Sequence, residues 1–296
     1  MKTINGISVP ESEDVKNALG TRAWDSHKGT YGYVGILGGS LRYSGAAKLA
    51  NLGAAAMRSG CGVVTLGVPD SIAHAVAPYL LESTLFPMPD AEGQMRFDRA
   101  ALDAFLSGKR AISVGMGWGR SSEYPKILGY LLQNFSGAIL LDADALNTLA
   151  EAGVDLLARK TGPVVLTPHP GEFSRLCGKP IAEIAKDPAG EAKAFAARHG
   201  VVLLLKGAEM IVTDGAAIYM TDRGCAGMAT AGSGDVLSGI LTGLFGYLPA
   251  NALTVACGAF IAGVAGEIAE RETNPISMVA SDTAGAILKA INEILK

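Results

Sequence analysis

The sequence has little cysteine, and its four cysteines lie far apart in the chain. Cys61, Cys177, Cys225 and Cys257 form no CxxC pair and no Cys/His spacing that is typical of a zinc or redox site. We expect reduced thiols in a cytoplasmic protein. Basic residues are also scarce, with 25 Lys and Arg against 28 Asp and Glu, and they form no dense cluster. This argues against a nucleic acid partner.

Charge is absent from one long stretch, from Val236 to Gly266. The stretch exceeds the roughly 20 apolar residues that span a bilayer. The turn-forming segment YLPAN interrupts it, which predicts two buried helices and no membrane partner. The first residues of the sequence include acidic side chains where a signal peptide needs an apolar core, so secretion is not expected.

Short β-branched runs alternate with alanine-rich stretches along the whole chain, which is typical of parallel βαβ units. Several runs are apolar without alternation, as in strands covered on both faces. The spacing predicts a three-layer α/β/α sandwich with a mostly parallel sheet, built as one domain over residues 1–296. The predicted strands cover 33–37, 63–68, 111–117, 138–142, 163–167 and 201–205, and MIVTD and AIYMT predict a small antiparallel edge. The predicted helices cover 44–59, 123–135, 189–199, 234–247, 251–271 and 279–295.

Unusual residues follow several of these strands, at the rim where open α/β sheets bind their ligands. The segments are GGSLRYSGA, GMGWG, DADALN, TPHPGE and KGAEM. Gly38 and Gly39 either wrap a substrate or only turn the chain. Of Asp142, Asp144 and Asn147, one is expected to cap a helix and another to reach magnesium or water.

In the segment GMATAGSGDVLSG three glycines, Gly227, Gly232 and Gly234, precede the carboxylate of Asp235 and the uncharged stretch. Its glycine N–H groups and the start of a helix near Gly234 favour a phosphate site. The spacing is not that of a Walker A loop. Asp235 either caps the helix or accepts a proton from a hydroxyl that attacks the phosphate.

Three further side chains have both a structural and a functional interpretation. Lys206 ends an apolar strand and is either solvated or in contact with a ligand. His169 lies between two prolines that fix the backbone, and its role is either structural or functional. Glu172 either balances a helix dipole or helps to hold a metal ion on phosphates.

In this order, GGSLRYSGA, TPHPGE, LKGAE and GMATAGSGDVLSG resemble the ADP/ATP-dependent NAD(P)H-hydrate dehydratase family, a branch of the ribokinase-like superfamily. The resemblance extends from about residue 25 to the end of the sequence. It implies a ribokinase-like fold and a stand-alone repair enzyme that uses ADP or ATP, with Mg²⁺, to convert NADHX or NADPHX to NADH or NADPH. It also implies a homo-oligomer, often a tetramer.

The resemblance implies roles for residues that match the motifs of the family. Asp235 is then the catalytic residue, and Glu172 is the candidate metal ligand. The hydrate-binding positions are Ala46, Gly117, Gly119, His169 and Asp235. The nucleotide-binding positions are Lys206, Gly207, Ala208, Glu209, Met210, Gly232, Ser233 and Gly234.

The sequence departs from the pattern of the family at two places. Met210 replaces a common threonine, which removes a hydroxyl from the nucleotide site, and Cys225 and Ala226 replace a common Asn-Pro pair before the glycine-rich segment. Two alternatives to the dehydratase stay open on the sequence. One is a kinase of the same superfamily acting on hydroxyethylthiazole or hydroxymethylpyrimidine, and the other is a nucleotide-binding regulatory protein without turnover.

Overall fold

The computed structural model describes residues 1–4, 6–52 and 58–296, and its centre is one large twisted sheet. Within these residues eleven strands pair in the order β1-β2-β13-β12-β11-β10-β9-β8-β3-β4-β5, and β6 and β7 form a separate hairpin. The strands are β1 (Lys2–Ile4), β2 (Ile7–Val9), β3 (Tyr33–Leu37), β4 (Val63–Pro69), β5 (Thr84–Met88), β6 (Asp90–Ala91), β7 (Gln94–Met95), β8 (Ala111–Val114), β9 (Ala138–Leu141), β10 (Val164–Leu166), β11 (Val202–Leu205), β12 (Met210–Thr213) and β13 (Ile218–Thr221).

The strands from β11 through β10, β9, β8, β3 and β4 to β5 all run parallel. Every residue of β8 to β11 is buried, because helices cover both faces of the sheet. Two apolar cores follow, one on each face. The prediction of a three-layer, mostly parallel α/β sandwich is confirmed.

One detail of the predicted topology is wrong. The strands β12 and β13 are antiparallel, as expected, but they do not form the edge of the sheet. β2 pairs parallel with β13 through Ser8 and Tyr219, and β1 pairs with β2 in a hairpin. These two strands were missed because they are only three residues long, β1 being exposed and β2 half-buried, so they lack a buried apolar pattern.

The helices agree with the sequence where the apolar pattern is long. The predicted helix over 44–59 begins at Ser44 but ends at Asn51, and residues 53–57 lie outside the described part of the chain. The helix expected at Glu172 begins at Pro170. The helices that begin at Ser12, Asp70, Arg99, Asp144 and Ile181 lie outside the predicted ranges. The helices are α1 (Ser12–Leu19), α2 (Ser44–Asn51), α3 (Asp70–Val76), α4 (Arg99–Leu106), α5 (Tyr124–Asn134), α6 (Asp144–Ala152), α7 (Pro170–Cys177), α8 (Ile181–Ile184), α9 (Pro188–His199), α10 (Ser233–Leu244), α11 (Ala252–Glu272) and α12 (Ala280–Leu295).

The uncharged stretch forms two helices, α10 and α11, that are separated by a turn. By length and composition α11 could cross a membrane, but 89% of its most apolar window is buried inside the protein. From Val236 to Leu244 every residue of α10 is buried. These helices therefore form the core on one face of the sheet, and α10 has little freedom to shift.

The chain that leaves α10 is tied to the turn before β3. Arg110 donates hydrogen bonds from Nη1 to the carbonyl oxygens of Gly246, at 3.1 Å, and Thr30, at 3.2 Å. Gly32 has φ +76°, and a Cβ there would lie 2.1 Å from the carbonyl oxygen of Gly246. Only glycine permits this approach, so Gly32 fixes the far end of α10 against the sheet.

We predict that Gly32→Ala lowers the free energy of unfolding by about 3 kcal/mol or more, because the new Cβ collides with backbone. Gly108→Ala is the matched control: its φ is +70°, but a Cβ there meets nothing within 4 Å. That variant is expected to lose only about 1 kcal/mol, the cost of the left-handed backbone itself. Urea unfolding measures both values. Equal losses would show that the contact with Gly246 has no role.

Candidate active site

The glycine-rich segment delivers Asp235 to the first turn of α10. Gly232 is the N-cap residue, with φ +96°, and a Cβ there would lie 2.4 Å from Cδ1 of Leu49. Asp235 is the third residue of the helix and makes no capping hydrogen bond, so the interpretation as a helix cap is wrong. Asp235 therefore belongs to the same turn as the free N–H groups and the positive end of the helix dipole.

A buried ion pair lies directly beside this turn. Nζ of Lys206, at the end of β11, is 2.7 Å from Oδ1 of Asp142, at the end of β9. The second carboxylate oxygen of Asp142 accepts a hydrogen bond of 2.8 Å from Oγ of Ser238 in α10. The side chains of Asp142 and Lys206 are 2% and 20% exposed, so Lys206 is not a solvated strand-end lysine.

Burial and crowding of carboxylates raise two pKa values at this site. The pKa of Asp235 is raised to about 7 by burial first and then by the nearby charges of Asp142 and Asp144, although Lys206 opposes the shift. Burial likewise raises the pKa of Glu172 to about 7. For Lys206 burial alone would lower the pKa, but the surrounding carboxylates, Asp142 foremost, raise it. Lys206 therefore stays charged, while Asp235 exchanges its proton near neutral pH.

His169 and Glu172 hold each other at the start of α7. Nδ1 of His169 accepts hydrogen bonds from the N–H groups of Gly171, at 3.0 Å, and Glu172, at 3.3 Å. Glu172 accepts a hydrogen bond of 2.9 Å from the backbone N–H of His169, and its other oxygen is 3.4 Å from Nε2 of that residue. Since Nδ1 is an acceptor, the neutral ring carries its proton on Nε2. Burial lowers the pKa of His169, which favours this neutral form.

Asp144 begins α6 and faces the segment that follows β8. Its Oδ2 accepts a hydrogen bond of 2.7 Å from the N–H of Gly119. Ala143, between the two aspartates, has φ +49°, an uncommon value for a residue with a Cβ. This backbone turns Asp142 and Asp144 towards different neighbours. Asn147 accepts a hydrogen bond of 3.0 Å from Nε of Arg175, so it supports α7.

A first cavity of about 800 Å³ opens at the carboxyl ends of β3 and β8. Three of its lining residues, Ala46, Gly117 and Gly119, are predicted hydrate-binding positions. A Cβ at Gly117 would lie 2.5 Å from the carbonyl oxygen of Tyr43, so glycine is needed there. Its lining is Ser40, Leu41, Arg42, Tyr43, Ala46, Glu92, Gly93, Gln94, Gly117, Gly119, Arg120 and Asp144.

A second cavity of about 560 Å³ opens between β11, β13 and the start of α10. It collects six of the predicted nucleotide-binding residues: Lys206, Gly207, Ala208, Met210, Ser233 and Gly234. Oγ of Ser233 is buried and has no hydrogen-bond partner within the described protein, so it is available to a ligand. A Cβ at Gly234 would lie 3.2 Å from Nζ of Lys206, so any larger residue there would crowd the ion pair.

Asp235 is coupled by charge to both cavities, although it is not among the described residues that line them. Its charge interacts with Lys206, which lines the second cavity, and with Asp144, which lines the first. Glu209, Gly232 and His169 likewise do not belong to either lining as described. His169 and Glu172 nevertheless join the same electrostatic group, since Lys206 acts on the pKa of both. Ligand roles for Asp235, Glu209, Gly232 and His169 stay predictions.

Several residues of the site were missed by the sequence reasoning. Ser238 could have been found, because it lies three positions after Asp235 and so on the same helix face. Arg223, which lines the second cavity, gave no motif signal. The hairpin of β6 and β7 brings Glu92 and Gln94 to the first cavity from a segment with no recognisable pattern.

Comparisons with known proteins agree on one family. The model of the NAD(P)H-hydrate dehydratase family matches residues 34–289. The chain is 36% identical to the ADP-dependent (S)-NAD(P)H-hydrate dehydratase of Neisseria meningitidis, over 93% of this chain and 90% of the relative. It is 38% identical to the bifunctional NAD(P)H-hydrate repair enzyme Nnr of Moorella thermoacetica, over 90% of this chain, but spans only about half, 50%, of that relative's length.

Two solved structures have the same fold. The ADP/ATP-dependent NAD(P)H-hydrate dehydratase of Bacillus subtilis, co-crystallised with ATP/Mg²⁺, aligns with TM-score 0.83 at 28% identity, covering 98% of this chain and 100% of the other. A ribokinase-like superfamily protein from Enterococcus faecalis aligns with TM-score 0.84 at 21% identity, covering 99% and 98%. The predicted ribokinase-like fold is confirmed.

We predict that Asp235→Asn is more stable than the parent protein at pH 8, and that the difference is smaller at pH 5. The folded state keeps a proton on Asp235 up to about pH 7, whereas an unfolded aspartate loses it near 3.8, so stability falls as pH rises through this window. Asparagine cannot ionise, so the variant does not lose this stability as the pH rises.

Urea unfolding at both pH values measures the difference. The exposed Asp25, replaced by Asn, serves as the control and is expected to change little. A difference for Asp235→Asn that does not grow with pH would contradict the raised pKa.

Proposed function

The chain belongs to the NAD(P)H-hydrate dehydratase family, and from this we propose that it uses ADP or ATP to dehydrate the hydrates NADHX and NADPHX, restoring NADH and NADPH. The observation that carries the proposal is that Asp235 directly follows Gly234, which lines one cavity, and interacts by charge with Asp144, which lines the other. One cavity has a lysine and helix N–H groups suited to phosphate, and the other is large enough for the hydrated end of a dinucleotide. A base coupled to both suits transfer of a phosphoryl group from one ligand to the other.

In the proposed reaction Asp235 accepts the proton of the C6 hydroxyl while that oxygen attacks the terminal phosphorus of the nucleotide. The N–H groups at the start of α10 and the ammonium of Lys206 stabilise the charge on the transferred group. The hydroxyl becomes a phosphate ester, a much better leaving group. The lone pair of the ring nitrogen then expels phosphate, and loss of a proton from C5 restores the dihydropyridine.

Asp142 serves this reaction by positioning Lys206. The ion pair of 2.7 Å keeps the ammonium at the mouth of the nucleotide cavity, and Ser238 fixes the same carboxylate from α10. Asp144 similarly fixes the backbone of Gly119 at the hydrate cavity. Each side of the site therefore has one aspartate that holds a binding element in place, which leaves Asp235 as the base.

We propose that Mg²⁺ arrives as the complex with the nucleotide phosphates. Among the described residues, no three His, Cys, Asp or Glu side chains converge as a metal site. Mg²⁺ suits such a place, because it commonly keeps its waters and binds phosphate with one or two carboxylates. Glu172 is the candidate carboxylate, acting through water, since its two oxygens already contact His169.

The proposal extends to the whole chain and its setting. We propose that residues 1–296 act as one cytoplasmic domain that forms a homo-oligomer, a tetramer as the resemblance implies.

A kinase with a stable phosphorylated product is the weaker candidate, because the family match covers residues 34–289. Met210 lines the nucleotide cavity without a hydroxyl, and Cys225 and Ala226 line it in place of Asn-Pro. These departures concern nucleotide affinity and leave Asp235 untouched.

We expect incubation of hydrated NADPH or NADH with the protein, Mg²⁺ and ADP or ATP to restore dihydronicotinamide absorbance and release free phosphate. Asp235→Asn should lower the rate by about 10²- to 10⁴-fold, the usual contribution of a general base, with nucleotide affinity largely kept. Neither absorbance nor phosphate with either nucleotide would overturn the proposed function. A phosphorylated product that accumulates would indicate a kinase.

The value of kcat/KM should fall as pH is lowered through about 7, because only ionised Asp235 accepts the proton of the hydroxyl. Glu172 has a similar pKa, so Glu172→Gln distinguishes the two: it should keep the acid limb. Initial rates from pH 5.5 to 8.5 measure the profile. A flat profile, or one whose acid limb disappears in Glu172→Gln, would remove Asp235 from the role of base.

A further inference from the structure

A cavity of about 860 Å³ lies at the opposite rim of the sheet from Asp235, near the amino ends of β3 and β4. We propose that it is a second ligand site, for a metabolite that joins a phosphate group to a flat aromatic ring, as a nucleotide does. The proposed dehydration makes no use of this cavity. The inference is therefore independent of the proposed function.

The charge of the cavity favours an anion. Three cations line it, Lys16, Arg22 and Arg58, and none of its described lining residues is acidic. The five residues before Arg58 are uncharged in the sequence. The helices α1, α10 and α12 end around the cavity, and their dipoles contribute about half a negative charge each. Three positive charges exceed these roughly one and a half negative ones, so the site keeps a positive balance.

One wall of the cavity is aromatic and fixed. The guanidinium of Arg22 lies 3.9 Å from the ring centre of Tyr31, and the rings of Tyr31 and Tyr247 meet edge to face at 6.0 Å. The hydroxyl of Tyr247 donates to the carbonyl oxygen of Ser59 at 3.1 Å. A Cβ at Gly60 would lie 2.9 Å from the ring of Tyr247, so the wall depends on this glycine. The two rings are thus held in place, and Arg22 covers one face of Tyr31.

Three apolar side chains also line the cavity, and they set the kind of ligand. They are Leu19 of α1 and Ile291 and Leu295 of α12. A flat ring can pack against these side chains while its phosphate reaches Lys16 and Arg22. Arg22 has donors left for this purpose, since one of its five N–H groups is bonded to the carbonyl oxygen of Gly60. The volume is within the range of small-molecule sites.

A ligand in this cavity lies far from the active site. Tyr247 follows the end of α10, whose 12 residues span about 18 Å from the turn that carries Asp235. The two sites therefore lie at opposite ends of one buried helix. A ligand in the cavity of about 860 Å³ would bind beside the far end of that helix and would not compete for Lys206.

Flavin mononucleotide is a suitable probe, because stacking on tyrosine quenches its fluorescence. We expect saturable quenching by the protein, with affinity at least about tenfold lower for Arg22→Gln and for Lys16→Gln, as expected for the loss of a charge-assisted hydrogen bond to phosphate. Riboflavin, without the phosphate, and inorganic phosphate, without the ring, should bind more weakly. AMP should compete with the probe.

Two control variants locate the binding. Arg198→Gln removes an exposed arginine elsewhere and should bind the probe normally. Ala208→Trp fills the nucleotide cavity and should also bind it normally. Lys16 is a half-buried lysine of α1, and an unfolding midpoint of Lys16→Gln in urea that matches the parent separates weaker binding from a folding defect. The proposal is wrong if Arg22→Gln and Lys16→Gln bind as the parent does, if Ala208→Trp abolishes binding, or if riboflavin binds as tightly as its phosphate.

Discussion

The ion pair between Lys206 and Asp142 is the contact on which the arrangement of the site depends. It joins the ends of β9 and β11 across β10, and Ser238 adds α10 to the same carboxylate. A buried carboxylate that lost its partner would be strongly destabilising, so each member requires the others. Because α10 is bonded to this pair and its second residue is a glycine, the helix can start close enough to place Asp235 beside the lysine.

Negative charge near this ion pair adds to the effect of burial on two carboxyl groups. Asp142 raises the pKa of both Asp235 and Glu172, and Asp144 raises that of Asp235, while Lys206 opposes both shifts. With burial as the larger cause, the pKa of each group reaches about 7. A carboxyl group with such a pKa can exchange a proton near neutral pH, as the proposed base must.

The sequence predicts the centre of this fold well and its periphery poorly, for a physical reason. The strands from β8 to β11 are buried on both faces, so their residues form unbroken apolar runs that are easily recognised. β1 and β2 lack such runs, and the helix that begins at Asp144 lies outside the predicted ranges. At the site, residues with a fixed place in a motif, such as Asp235, were singled out as candidates. Arg223 and Gln94 were not, because only the tertiary fold brings them to a cavity.

The linings of the proposed hydrate and nucleotide cavities have no residue in common among those that the structure describes. In the proposed function each ligand therefore has its own space, and neither has to leave before the other can exchange. Such an arrangement is suited to a substrate that occurs rarely. The proposed enzyme stays loaded with an abundant nucleotide and waits, so that each encounter with a damaged cofactor finds the phosphoryl donor already in place.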